Sequence, residues 1–90
     1  MDLSDWRERI DGIDRQMIDL LNERMQCAHE IGRLKKAAGK LIRDPERERE
    51  VFAKTKAYNQ QLQGPMKDEA LEQFYRLLIE LTTHFEHEES

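Results

Sequence analysis

Arg24 interrupts a line of apolar residues, and chemistry enters this sequence there. With Ile10 at position a of a heptad, the a series runs Leu3, Ile10, Met17, Arg24, Ile31, Ala38. The d series runs Trp6, Ile13, Leu20, Cys27, Leu34. A guanidinium in such a stripe has two readings. It can set register or oligomeric state or snorkel outward, or it can turn a fork of donors inward to grip an anion. Lys35 follows eleven residues later. On a helix that is three turns plus about 20°, so the two cations face nearly the same way, about 16 Å apart along the axis. Long side chains leaning toward one another could share one small anionic ligand.

A second concentration of charge is IRDPERERE, residues 42–50, where seven of nine residues are charged around Pro45. Asp44 is a good N-cap, Pro45 suits the first helical position, and Glu46 favours the positive end of the helix dipole. The segment is either a solvated helix start or a set of charges gathered to hold a ligand. Further on, Thr82 and Glu86 stand at i, i+4 beside the apolar stripe Leu71, Phe74, Leu78, Leu81, Phe85. Both can therefore face the interior that Arg24 faces, although each taken singly is more often a boundary residue than a ligand contact.

The elements that must position these residues are helices. Punctuation is sparse: Gly39, Asp44-Pro45 and Gly64-Pro65 divide the chain into three stretches, and no segment alternates with β-branched residues as a strand would. The expectation is an all-α, three-helix chain, a single domain over residues 1–90, with Gly64-Pro65 ending the second helix and launching the third. The first helix, from about Ser4 to Ala38, would be some 50 Å long. Two shorter helices of the same chain cannot cover that length, so much of its stripe must pack on a second chain. An intertwined homodimer is expected.

Composition narrows the partners. A net charge of −4 argues against nucleic acid, and no run of about 18 apolar residues offers a membrane span. The charged opening MDLSDWRER lacks the apolar stretch of a signal peptide, which points to the cytoplasm. The one cysteine, Cys27, has no partner for an internal disulfide and no zinc spacing; it reads as a small core residue. His29, His84 and His87 have no convincing metal partners, so no metal site is expected.

Taken together, W-R-E-R-I-D-G-I-D-R-Q-M-I-D-L-L-N-E-R (6–24), I-G-R-L-K (31–35) and I-R-D-P-E-R-E-R-E (42–50) resemble the all-α chorismate mutases. The resemblance covers nearly the whole chain and is strongest over residues 6–51. It implies a cofactor-free isomerase, a helical homodimer with shared active sites, converting chorismate to prephenate in phenylalanine and tyrosine biosynthesis. It also implies roles for individual residues. Arg24 and Arg7 would each clamp one substrate carboxylate, with Arg7 supplied by the partner chain. Lys35 would contact the ether oxygen and a carboxylate, with Arg47 assisting on the carboxylate side. Glu48 would accept from the ring hydroxyl near the Asp44 backbone. Thr82 would keep a hydroxyl where a serine is common, and Glu86 would stand where the family has glutamine or glutamate. Lys35, Glu86 and Arg24 would carry the catalysis. The trans assignment has independent support: 17 residues of helix separate Arg7 from Arg24 by roughly 25 Å. Two alternatives remain, isochorismate-pyruvate lyase on the same fold and a non-enzymatic helical dimerisation module. Related domains also occur fused to larger enzymes, and the sequence does not say whether this chain stands free.

Overall fold

The computed structural model describes residues 1–87. Three helices run in the order α1 (Leu3–Ala37), α2 (Pro45–Leu62) and α3 (Asp68–His87). α1 begins in a reciprocal cap: the Asp5 amide donates to the Asp2 carboxylate at 2.9 Å, and the Asp2 amide donates to Asp5 at 3.0 Å. It ends where Gly39 turns to φ +68, which lets the Lys40 amide reach back to the Lys35 carbonyl at 2.8 Å. α2 starts as its sequence suggests, with Pro45 in its first turn and the Asp44 carboxylate accepting from the Arg47 amide at 3.1 Å.

The end of α2 differs from the expectation placed on Gly64-Pro65. Gln63 takes the left-handed conformation, φ 52, and α3 begins only at Asp68. A side-chain latch closes this turn. Asn59 donates to the Met66 carbonyl (2.9 Å) and to the Asp68 carboxylate (3.2 Å), while Gln60 donates to the other Asp68 oxygen at 2.9 Å. Polar side chains from α2 thus tie down the start of α3.

α3 packs on both α1 and α2, whereas α1 and α2 do not pack on each other. The space between those two helices is walled by α3 and becomes the cavity described below. The face of α1 that α3 covers lies in its second half, where Ala28 and Gly32 are buried. The first half of α1 projects beyond the rest of the chain with Leu3, Trp6, Ile10, Ile13, Met17 and Leu20 exposed. On α3 the expected stripe divides. Leu78 is buried, while Phe74 and Leu81 remain open to solvent beside Leu77. Cys27, expected in the core, is also exposed, because α3 lies against Ala28 and Gly32 rather than over the d position.

This shape has a physical signature. The radius of gyration is 16.1 Å and the long axis 54 Å, against about 12 Å for the radius of a compact chain of this length. The accessible surface is 7582 Å², where a compact monomer of this mass would expose about 5,500 Å². No described helix is long and apolar enough to cross a membrane.

The latch at Asp68 generates a pH prediction. Hydrogen bonds from Gln60 and Asn59 hold the Asp68 carboxyl below its ordinary range. A depressed folded-state value stabilises the fold above the ordinary aspartate range, near pH 4, and that contribution is lost as pH falls through the folded value. Asp68→Asn should therefore lower stability at neutral pH and flatten part of the decline in melting temperature below about pH 4. Circular dichroism melts from pH 3 to 7 would show it. Parallel curves for the two proteins would refute the latch.

Candidate active site

A cavity of about 390 Å³ occupies the gap between α1 and α2. From α1 it receives Arg24, Cys27, Ala28, Ile31 and Lys35; from the connecting loop, Ile42 and Asp44. α2 contributes Arg47, Glu48 and Val51, and α3 contributes Ile79, Thr82, Thr83 and Glu86. Seven of the eight residues singled out from the sequence thus line one space: Arg24, Lys35, Asp44, Arg47, Glu48, Thr82 and Glu86. The eighth, Arg7, stands on the projecting half of α1 and does not line it.

Arg24 is half-buried and donates to the Thr82 hydroxyl. That hydroxyl in turn donates to the Leu78 carbonyl at 2.7 Å. With its single proton spent on its own helix, Thr82 offers Arg24 a lone pair and holds the guanidinium rather than presenting a donor of its own. A guanidinium carries five N–H donors in a planar fork, and Thr82 engages one end of it, Nη1.

One end of the cavity is an ion pair. The Lys35 ammonium lies 3.1 Å from a Glu86 carboxylate oxygen, and the two side chains are 19% and 8% exposed. Lys35 also donates to the Ile42 carbonyl, which pins the loop leading into α2 against α1. An ammonium has three protons, so these two contacts leave one for a ligand. Loss of either member of a buried pair strands the other, which typically costs about 3–5 kcal/mol.

The α2 side is built from charges with partners outside the cavity. Glu48 is gripped by Arg43 at 3.2 Å. The Asp44 carboxylate is spent on the helix cap, which leaves its backbone for ligand contact. Arg47 donates to Glu50; hydrogen bonds and charge from Lys54, followed by those of Arg47, hold the Glu50 carboxyl below its ordinary range. Among the described residues no group of His, Cys, Asp and Glu is arranged to hold a metal ion.

Sequence reasoning missed the apolar lining. Ile31, Ile42, Val51 and Ile79 complete the wall. Ile79 stands three residues before Thr82, and Ile31 four before Lys35, so helical spacing from the polar residues would have found both. It also passed over Gly32, buried inside α1. A lone glycine within a helical pattern was the available signal.

Comparisons with known proteins agree on one family. Residues 6–87 match the family model described as chorismate mutase type II. The chain is 42% identical over 79 residues to a bifunctional chorismate mutase/prephenate dehydratase of Aquifex aeolicus, covering 87% of this chain and 22% of that protein. It is 43% identical over 70 residues to the protein of the same description from Neisseria gonorrhoeae, covering 78% and 18%. The chain thus spans about a fifth of the length of these curated relatives. Among solved structures it is similar to form II of chorismate mutase from Thermus thermophilus, with TM-score 0.88, 30% identity, and 94% and 93% of the two chains covered. Form I of the same protein gives TM-score 0.82 at 31% identity, covering 89% and 96%.

The Thr82–Arg24 contact can be tested by binding alone. A hydrogen bond to a charged group is worth about 1.5–3 kcal/mol. Thr82→Val should therefore weaken binding of a small rigid dicarboxylate by about tenfold or more, and Thr82→Ser should bind nearly as wild type. Calorimetry that finds Thr82→Val unchanged would show that Arg24 needs no anchor.

Proposed function

This chain belongs to the type II chorismate mutase family, and on that premise we propose that it rearranges chorismate to prephenate in aromatic amino acid biosynthesis. The observation that carries the reading is the convergence of Arg24, Lys35, Arg47, Glu48, Thr82 and Glu86 on one cavity. The rearrangement is intramolecular: a C–O bond breaks as a C–C bond forms, and no external nucleophile takes part. The protein's task is to hold the flexible enolpyruvyl arm over the ring and to stabilise negative charge growing on the ether oxygen.

Each side chain then has a role that its contacts support. Arg24, anchored by Thr82, clamps one carboxylate through its fork, a geometry lysine reproduces poorly. Lys35 brings its remaining proton to the ether oxygen and the neighbouring carboxylate. Glu48, held by Arg43, accepts from the ring hydroxyl, and Arg47 supports the carboxylate side. Glu86 stands with Lys35 at the ether-oxygen end of the site and holds the ammonium in place. Donors aimed at charge that grows only in the transition state raise the rate of the chemical step.

Arg7 joins this set from a second copy. The proposed assembly is a homodimer in which the apolar first half of α1 is covered by the partner and the partner's α1 delivers its Arg7. The excess of about 2,000 Å² over a compact monomer supports it, as does the roughly 25 Å of helix between Arg7 and Arg24. Residues 1–90 form one catalytic unit in this reading, and the enzyme works in the cytoplasm.

Three outcomes are expected. Chorismate should be turned over and isochorismate should not release pyruvate; the reverse pattern would favour the lyase. An Arg7→Ala chain mixed with an Arg24→Ala chain should regain activity after subunit exchange, since one of the two sites in the mixed dimer is then intact. No gain over either parent would overturn the trans assignment. Glu86→Ala should lower kcat, and Glu86→Gln, whose amide can donate a hydrogen bond, should keep more of the rate. Wild-type turnover in Glu86→Ala would remove Glu86 from the ether oxygen.

A further inference from the structure

Lys35 and Glu86 meet because two helix backbones come closer than side chains ordinarily permit. A Cβ placed on Gly32 would stand 2.8 Å from the Glu86 carbonyl oxygen, 3.0 Å from its Cα and 3.3 Å from its carbonyl carbon. These are backbone atoms of α3, which cannot swing aside as the tip of a side chain can. Gly12, in the same helix, is different: a Cβ there would meet only the Arg15 side chain, at 3.8 Å. Glycine inside a helix costs roughly 0.5–1 kcal/mol relative to alanine. At Gly32 that local loss coincides with the point where α3 touches α1.

The touching point lies under the catalytic pair. Lys35 is three residues beyond Gly32 on α1, and helix side chains lean toward the N-terminus. The ammonium is therefore carried back over the turn on which Glu86 rests. We infer that Gly32 is a positioning residue for the reaction: its missing Cβ sets how deeply Glu86 sits against α1, and so sets the 3.1 Å contact with Lys35. This rests on the function proposed above, and it names a residue that touches no part of the substrate.

The consequences of a single methyl group follow. Ordinary contact begins at 3.4 Å, so the last turn of α3 must withdraw by roughly 0.6 Å or more in Gly32→Ala. The Glu86 carboxylate then leaves hydrogen-bond range of Lys35. The yielding is local, because Leu78 is buried two turns earlier and the latch from Asn59 and Gln60 holds the far end of α3. Arg24 is anchored by Thr82, a full turn before the part of α3 that yields, so substrate binding changes less than turnover. Misplacement on the ångström scale costs catalysis up to about 100-fold.

The test compares Gly32→Ala with Gly12→Ala in the full chain. Expected for Gly32→Ala is a folded protein whose kcat falls about 10- to 100-fold while KM changes by less than about threefold. The side-chain ammonium signal of Lys35, visible by NMR when the group is held in an ion pair, should weaken markedly, with only the Ile42 carbonyl still holding the group. Gly12→Ala should match wild type in all three measurements. In a Glu86→Ala background, Gly32→Ala should lower kcat by less than about twofold further, because neighbours that act as a unit are not additive. Wild-type kcat with an intact Lys35 signal would overturn the inference. So would a penalty that adds in full to that of Glu86→Ala, or a Gly32→Ala chain that fails to fold, since the last turn of α3 would then not be the part that yields. If the wild-type protein fails to convert chorismate, the functional proposal falls by itself. The Lys35 signal in the two glycine variants still decides whether Gly32 positions the pair.

Discussion

The distance between α1 and α3 at Gly32 is the constraint on which the rest of this structure depends. Ala28 and Gly32 lie one turn apart and form the buried face of α1. With larger side chains there, α3 would ride higher and the cavity would open at its base. The close approach at Gly32 brings Glu86 within reach of Lys35. One turn earlier on α3 Thr82 meets Arg24, so two polar contacts join α1 and α3 beside a crossing of small residues. Both helices are rigid elements, and sites built on them are held more accurately than sites built on loops.

The electrostatics of the cavity follow a single pattern. Three carboxylates line it, and each is already engaged: Asp44 by the start of α2, Glu48 by Arg43, and Glu86 by Lys35. Glu48 is engaged from outside the cavity, by Arg43. Lys35 and Arg47 are paired in turn with Glu86 and Glu50. Arg24 is treated differently: it is anchored by a neutral hydroxyl, which leaves its charge available to an incoming anion. Groups held in this way need little reorganisation when charge develops, which is the condition under which fixed dipoles and charges stabilise a transition state most effectively.

Much of this was legible in the sequence, for reasons that differ by residue. The heptad stripe and the Asp44-Pro45 cap are local signals, and α1 and the start of α2 lie where they place them. Helical spacing let Thr82 and Glu86 face the interior that Arg24 faces, whereas residues 42–50 kept two readings that only the family resemblance decided. The end of α2 could not, because Gln63 adopts a left-handed conformation that sequence assigns by preference to Gly64. The Asn59–Gln60–Asp68 latch accounts for the difference: its side-chain bonds close the turn regardless of which residue best tolerates it. Cys27 was misplaced because a heptad states which positions are apolar, not which of them the chain's own α3 will cover. Thr82 was expected to contact substrate through its hydroxyl. Its donation to Leu78 depends on a rotamer that no spacing rule reveals.

The projecting half of α1 carries a consequence for how the protein comes to exist at all. Few of its apolar residues find cover within their own chain, and an isolated copy of this size buries too little surface to be robust. In the proposed dimer, acquiring structure and finding a partner are one event, and the reaction order of folding is two rather than one. The free energy of the native state then carries a mass-action term: each tenfold dilution removes about 1.4 kcal/mol. Dilution thus acts on the helices themselves, and the melting temperature of this chain becomes a property of how much of it is present.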